Sequence, residues 1–351
     1  MNRLKPITIL MTAVGCPGAS TCIRYLKGIQ ERSVRVVGVD AEKECIGRFL
    51  TDDFRQVPLA KEPDYIEELF NYAIQQEADC ILIPSSYEVE VIAAHREKFE
   101  QAGIKVLASS TDALRLANNK RFLYEIFKKD DIVEIPDFRV VSTLDEFVEG
   151  CKEMGYPKRP LCFKPPYSKG GRGFRFLATD ISRADLLLNY KPDSKIISLE
   201  EIIDIFEKED YFPELLLMET VSGEEIDSMV LADKGEPLLI THKTREKERG
   251  GVITLGGHCL RPELDKKITR ILEKVPLSYN VGIQFKGGFL IEINPRLSTF
   301  LYTTEWVEPY FAVKFALGEF SADDVRGLQR KVPINLRMVR YFDQYFFEKT
   351  E

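Results

Sequence analysis

From Ile7 to Asp40 the chain reads ITILMTAV, GCPGAS, TCIRYLKGIQER and VRVVGVD: an apolar run, a turn with glycine and proline, an amphipathic helical period and a second apolar run. Two strands joined through a helix pair in parallel, because only a parallel partner needs a crossover. This opening is therefore predicted to be a βαβ unit. The alternation continues: DYIEELFNYAIQQE predicts a helix, ADCILIPSS a strand, YEVEVIAAHREKFEQAG a helix, and IKVLAS a last strand before Ser109. Four parallel strands are thus expected within residues 1–110, the size of one α/β domain.

Beyond that point the pattern changes. STDALRLANNKRFLYEIFKKDD, capped at Ser110 or Thr111, predicts a connecting helix pair, and Pro136 marks a boundary. STLDEFVEGCKEMG reads as a helix, PLCFKPP and FRFLATD as strands joined by a glycine-rich loop over 167–173, and residues 198–209 as a helix. ELLLMETV, EIDSMVLAD and PLLITHKTRE then read as antiparallel strands turning at Gly223 and at Asp233-Lys234-Gly235, so the second half is α+β. The aromatic tail is expected to dock on the body.

A chain of 351 residues suits two or three packed units, and 44% hydrophobic with 30% charged residues is an ordinary globular profile. No apolar run approaches the roughly 18 residues that a bilayer needs, so neither a membrane span nor a signal peptide is expected. Seven cysteines without a CxxC pair read as reduced packing residues. A net charge of -7 argues against a nucleic-acid partner. Small-molecule chemistry in the cytoplasm, with no membrane partner, is the expectation.

GIQFKGGFLIEINPR carries the chemistry. Glu292 and Asn294 are two apart on a predicted strand, so they leave one face, where oxygen ligands can share a hard cation such as Mg²⁺. Gln284 joins them only in one register. A two-residue Gly287-Gly288 turn would pair it with Ile291 and turn it away, so an odd-length loop or a bulge is predicted. Pro295 ends the strand, and Arg296 projects where it could hold a phosphoryl group. The alternative is a polar edge strand with a Glu–Arg salt bridge. FKPPYSKGGRGFRF adds Lys164 on a strand and a loop whose glycines can bring N–H groups to phosphate oxygens. It is not a Walker loop, since the GxxxxGK[ST] spacing is missing. A surface hairpin is the alternative.

In this order, TAVGCPGASTCIRYLKG, FRQVP, ILIPSSYEVEVIAA, LANNKRF, FKPPYSKGGRGF, LLLMETVSGEEID and GIQFKGGFLIEINPR resemble the ATP-grasp family, and in particular its carbamoyl-phosphate-synthase-like branch. The resemblance spans nearly the whole chain. It implies an α/β, Rossmann-like (pre-ATP-grasp) domain over 1–110, followed by a two-lobed ATP-grasp fold over 111–330 and a tail over 331–351 packed on the body. The lid lobe would cover about 133–218 and the metal-binding lobe about 219–330.

The implied activity is an ATP-dependent carboxylate–amine ligase acting through an acyl phosphate. Lys120 and Lys164 would contact the nucleotide phosphates, while Ser168, Lys169, Gly170, Gly171 and Gly173 close over the terminal ones. Glu219 and the backbone at Val221 would meet adenine, and Glu225 the ribose hydroxyls, with Glu224 as its one-residue alternative. Gln284, Glu292 and Asn294 would hold two Mg²⁺ ions, Mn²⁺ being the alternative metal. Arg296 would stabilise the transferring phosphoryl group. Arg249, and less directly Lys243, would hold the acyl phosphate unless they form a solvated strand face. The substrates would be a small carboxylate and an amine, and a homodimer is common in the family.

Two positions depart from the family pattern, Asn119 before Lys120 and Met229 after the ribose acid. Three rivals stay open: a dinucleotide-binding Rossmann unit at GCPGAS, a nucleotide-binding regulatory module, and a small-molecule kinase. The first lacks GxGxxG, and Pro17 removes a donor. Relatives use the first domain near the acceptor substrate, which makes Gly15, Gly18, Glu88 and Glu90 candidate pocket residues. His95, His242 and His258 form no zinc or Ser-His-Asp pattern in sequence.

Overall fold

The computed structural model describes residues 4–168, 170–190, 195–249, 251–298 and 300–348. The chain divides into two compact units, one of residues 1–118, 224–285 and 292–351, the other of 119–223 and 286–291.

The first unit opens with a parallel sheet of β1 (Ile7–Met11), β2 (Val34–Asp40), β3 (Asp53–Gln56), β4 (Cys80–Leu82) and β5 (Lys105–Val106), in the order β3-β2-β1-β4-β5. Five strands stand where four were expected. The extra one, DFRQ, lies at the sheet edge with no fully buried residue, so it lacks the apolar run that marks its neighbours. The predicted helix after β4 is two, Val89–Ala94 and Arg96–Gln101, parting at His95, whose Nδ1 lies 2.9 Å from the Val91 carbonyl. Because β2 and β4 flank β1 on opposite sides, the chain switches direction there, and such switch points open crevices at the strands' carboxyl ends. Thr12, Gly15 and Ser85 to Glu88 lie at those ends.

The second unit carries β6 (Phe138–Val141), β7 (Leu161–Lys164), β8 (Arg175–Leu177), β9 (Ile196–Ile197) and β10 (Leu215–Glu219), in the order β6-β10-β7-β8-β9. β7 and β8 are antiparallel, as the hairpin reading required. Helices Leu144–Glu153 and Leu199–Phe206 start where Thr143 and Ser198 accept from the backbone N–H groups of Glu146 and Glu201. Phe147, Phe163 and Leu217 fill the core between helix and sheet.

A mostly antiparallel sheet follows: β11 (Glu225–Asp233), β12 (Glu236–Thr244), β13 (Lys247–Arg249), β14 (Val252–Cys259), β15 (Tyr279–Lys286) and β16 (Phe289–Asn294), in the order β13-β14-β12-β11-β15-β16. The tail strand β17 (Arg337–Val339) pairs with β14. The parallel sheet has a core on each face: Leu10, Val37, Leu69, Ile81, Phe99 and Val106 belong to one drawn almost wholly from residues 1–110, and the other is shared with later segments. Ile9, Met11, Cys22 and Leu26 share one buried cluster with Leu231, Leu239, Tyr302, Trp306, Tyr310 and Val313. The tail docks through aromatic stacking, with the rings of Tyr345 and Phe347 centred 4.9 and 4.5 Å from that of Phe49.

One ion pair crosses this core. Lys243 on β12 donates to Glu308, the first residue of helix Glu308–Ala316, and both side chains are buried. Thr241 Oγ1 (2.6 Å) and Trp306 Nε1 (3.2 Å) also donate to Glu308. Burial alone would raise the Glu308 carboxyl, but Lys243, then His258 and Thr241, hold it below its usual range. His258, opposite Lys243 on β14, is 5% exposed, and burial and then the Lys243 charge push it down to about 4.

Glu308→Ala strands a buried ammonium and is expected to destabilise the protein by about 3–5 kcal/mol in urea denaturation, whereas Lys243→Met with Glu308→Leu recovers most of it. His258 takes up a proton more readily unfolded than folded. Stability should therefore fall as pH drops from about 6.5 to about 4, by about 3 kcal/mol in total. An unchanged slope in His258→Gln would assign the pH dependence elsewhere.

Candidate active site

Alternation along β11 sends Glu225 and Asp227 to one face, and the β11–β12 register places Lys243 opposite Asp227. Arg245, two residues on, lies on the same face. Its Nε is 2.7 Å from Glu225, its Nη1 is 3.6 Å from Asp227, and its Nη2 pairs with Glu248. Burial would lower the Arg245 guanidinium, but Asp227, Glu225 and Glu248 outweigh it and raise it. Glu224, one residue earlier, leaves the other way and pairs with Arg261.

Gln284 reaches the same face. Its amide group lies between Glu292 Oε1 (2.9 Å) and Arg245 Nη1 (3.2 Å), while Asn294 Nδ2 donates to Glu292 Oε1 at 3.0 Å. With its NH₂ towards Glu292, Gln284 is hydrogen-bonded on both sides. With its oxygen there, two acceptor oxygens face each other, an arrangement stable only with a cation among them. The residues fit a hard divalent ion in the second orientation. Gln284 thus shares a face with Glu292 although the turn has only two residues, Gly287 and Gly288, both at positive φ. A regular two-residue hairpin would turn Gln284 away from Glu292, so the 2.9 Å approach departs from regular pairing.

Arg296 follows β16. Its Nη1 donates to the Leu297 carbonyl (3.0 Å), its backbone N–H to the Asn294 carbonyl (2.7 Å), and its Nε to Ser86 after β4. Burial lowers the guanidinium, against the pull of Glu292, Cys16 and Asp227. At the same switch point Glu88 is buried and accepts from Thr12 Oγ1 and Tyr65 Oη, both at 2.8 Å. Burial raises its carboxyl, opposed by those two donors. Gly15 N–H donates to Asp40 at 2.7 Å, and Glu90 accepts from Asn118.

In the other unit, Lys164 is 6% exposed and donates to Tyr124 Oη and the Ile291 carbonyl, both at 3.1 Å. Lys120 holds the Ser168 carbonyl at 2.8 Å. Asn119, the departure from the family pattern, is the N-cap of helix Lys120–Lys129 and accepts from Phe122 N–H at 3.0 Å. Gly170, Gly171 and Gly173 all have positive φ, and a Cβ on Gly173 would meet Pro165 at 2.7 Å. Lys169 lies outside the described residues. Glu219 accepts from Asp137 N–H (2.8 Å) and Arg159, and Val221 lies two residues beyond the end of β10.

Arg249 is not brought to the charged face: it is exposed on β13, with its guanidinium 4.8 Å from the centre of the Phe342 ring. Lys243 is committed to Glu308. Arg245 and Asp227 were missed in the sequence, though parity from Glu225 and Lys243 could have found both. His242 lies 2.8 Å from both Ser228 Oγ and Asp265, but Ser228 is fully buried, so the array offers no nucleophile to a substrate. Among the described residues, no three His, Cys, Asp or Glu side chains form a metal cluster, so a cation here would depend on the amide oxygens. Among the described residues, no helix is long and apolar enough to cross a membrane.

Residues 9–107 match the family described as PylC-like, N-terminal domain, and residues 211–338 the family described as ATP-grasp in the biosynthetic pathway with Ter operon. The carbamoyl phosphate synthase large chain of Clostridium acetobutylicum is 23% identical over 291 residues, 79% of this chain and 25% of the relative. That of Bifidobacterium animalis subsp. lactis is 27% identical over 57% of this chain and 18% of the relative. The chain thus spans between about a fifth and a quarter of the length of these curated relatives. Among solved structures, the biotin carboxylase domain of Hydrogenobacter thermophilus 2-oxoglutarate carboxylase, in complex with MgADP and bicarbonate, has a TM-score of 0.60 at 18% identity, over 91% of this chain and 72% of that one. N5-carboxyaminoimidazole synthetase from Staphylococcus aureus has a TM-score of 0.57 at 14% identity, over 94% and 78%. These likenesses show a shared mixed α/β fold.

Proposed function

We propose that the chain is an ATP-grasp enzyme, an ATP-dependent ligase that phosphorylates a small carboxylate and joins the acyl phosphate to an amine or similar nucleophile. The observation that carries this reading is the grouping of Gln284, Glu292 and Asn294 with Arg245 and Arg296 at one end of one sheet face. Oxygen donors suited to Mg²⁺ beside guanidiniums suited to phosphate are the requirements of phosphoryl transfer. The MgADP and bicarbonate named in the biotin carboxylase complex support ATP, Mg²⁺ and a small carboxylate as the ligands.

Mg²⁺, as two ions with Mn²⁺ an alternative, would be held by Gln284, Glu292 and Asn294 and would neutralise charge on the phosphate oxygens. Lys120 and Lys164 would meet the nucleotide phosphates. The loop of Ser168, Lys169, Gly170, Gly171 and Gly173 would cover them, excluding water that would hydrolyse an acyl phosphate. Glu219 and the Val221 backbone would meet adenine, and Glu225 the ribose. A substrate carboxylate oxygen attacks the terminal phosphorus, and ADP leaves with the electron pair of the broken P–O bond. Arg296 would offset charge on the moving group. Arg245 would take the part expected of Arg249 and hold the acyl phosphate. The amine then attacks the acyl carbon, loses a proton, and phosphate departs with the C–O electron pair.

Incubation with ATP, Mg²⁺ and a pool of amino acids, small carboxylates and amines should yield ADP, phosphate and a new joined mass. Glu292→Ala and Arg245→Ala should each reduce turnover by about 10²-fold or more, while Arg249→Ala stays within about twofold. AMP in place of ADP would refute the acyl phosphate. A phosphorylated substrate without a joined product would make the enzyme a kinase.

A further inference from the structure

Arg340 lies just beyond the stretch that the family match covers, in the tail segment after β17. Its backbone N–H donates to the Thr254 carbonyl at 2.8 Å. Its guanidinium reaches three separate elements. Nη2 donates to the Phe300 carbonyl (3.0 Å), Nη1 to Thr21 Oγ1 on helix Ala19–Lys27 (2.8 Å), and Nε to the Ile253 carbonyl on β14 (3.1 Å). A guanidinium can make three such bonds at once because its five donors form a rigid fork, which a lysine cannot reproduce.

What this fork holds is strained. Phe300 has φ +40, in the left-handed region that a bulky side chain rarely adopts. Its ring fills the space beside Gly18, where an added Cβ would meet it at 2.0 Å. Ser298 likewise sits against Gly282, whose added Cβ would lie 2.3 Å from the Ser298 hydroxyl. Ser298 and Phe300, which follow Arg296, therefore each rest in a glycine socket, and Phe300 is latched by Arg340. The latch is fastened in turn by Tyr345 and Phe347 stacking on Phe49.

We propose that Arg340 is a positioning residue for phosphoryl transfer: by holding Phe300 in its left-handed turn it keeps the Arg296 guanidinium where the moving phosphoryl group passes. The inference rests on the ligase reading above.

The test is calorimetric titration of wild type, Arg340→Ala and Arg340→Lys with MgADP, alone and with aluminium fluoride as a mimic of the transferring group, alongside thermal midpoints. The expected result is MgADP affinity within about twofold in all three, with aluminium fluoride tightening MgADP about tenfold or more in wild type but little in either variant. If Arg340→Ala does not fold, Arg340→Lys carries the test. Equal tightening in wild type and variant overturns the proposal, and so does a parallel loss of both affinities, which would make Arg340 structural only. No tightening in wild type overturns the placement of Arg296 on which the proposal depends. Failure of wild type to bind MgADP at all overturns the ATP reading and this inference with it.

Discussion

The buried pair of Lys243 and Glu308 fixes which way β12 faces, and much of the first unit follows from that. An ammonium inside a core is tolerated only with its partner, so β12 cannot slip by one residue without exposing Lys243 to apolar surroundings and removing Thr241 from Glu308. With Lys243 turned inward, Arg245 must share its face and meet Glu225 and Asp227. Glu308 also starts the helix whose Tyr310 and Lys314 hold Glu31, at 2.6 and 2.8 Å. One ion pair thus sets the parity of the charged face and ties the antiparallel sheet to the parallel one.

That face is densely charged. Glu225, Asp227, Glu248 and Glu292 gather around the guanidiniums of Arg245 and Arg296. Carboxylates brought this close repel one another. Divalent ions relieve that repulsion. A polyphosphate brought in with them then restores the need for the arginines, so acids and bases crowded together are consistent with a site completed by its ligands.

Local pattern revealed much of this architecture, because the signals were local. The βαβ opening, the helix pair, the β7–β8 hairpin and the bounds of β11 all follow from periodicity and turn residues. β3 escaped because DFRQ has no apolar run, and Arg245 because the basic stretch HKTREKER offers several cations and only cross-strand parity selects among them. Gly18 is the clearest limit. Within GCPGAS it reads as a turn glycine or a residue lining an acceptor pocket, yet what excludes a side chain there is the ring of Phe300, 282 residues away in sequence. No spacing rule reports a contact of that kind.

The same parity separates two polar layers that composition alone would merge. Asp227 and Ser228 are adjacent on β11, so they must leave opposite faces. Asp227 joins the charged side. Ser228 turns to the other, where His242, opposite it on β12, spans to Asp265 on helix Pro262–Lys274. Ser, His and Asp there have the composition of a catalytic triad but not its wiring, since the serine contacts Nδ1 and the acid Nε2, and the hydroxyl is sealed from solvent. Its work is to strap helix to sheet. A residue's chemistry becomes available only when its face is open, and in this sheet that decision is made by alternation about the buried lysine.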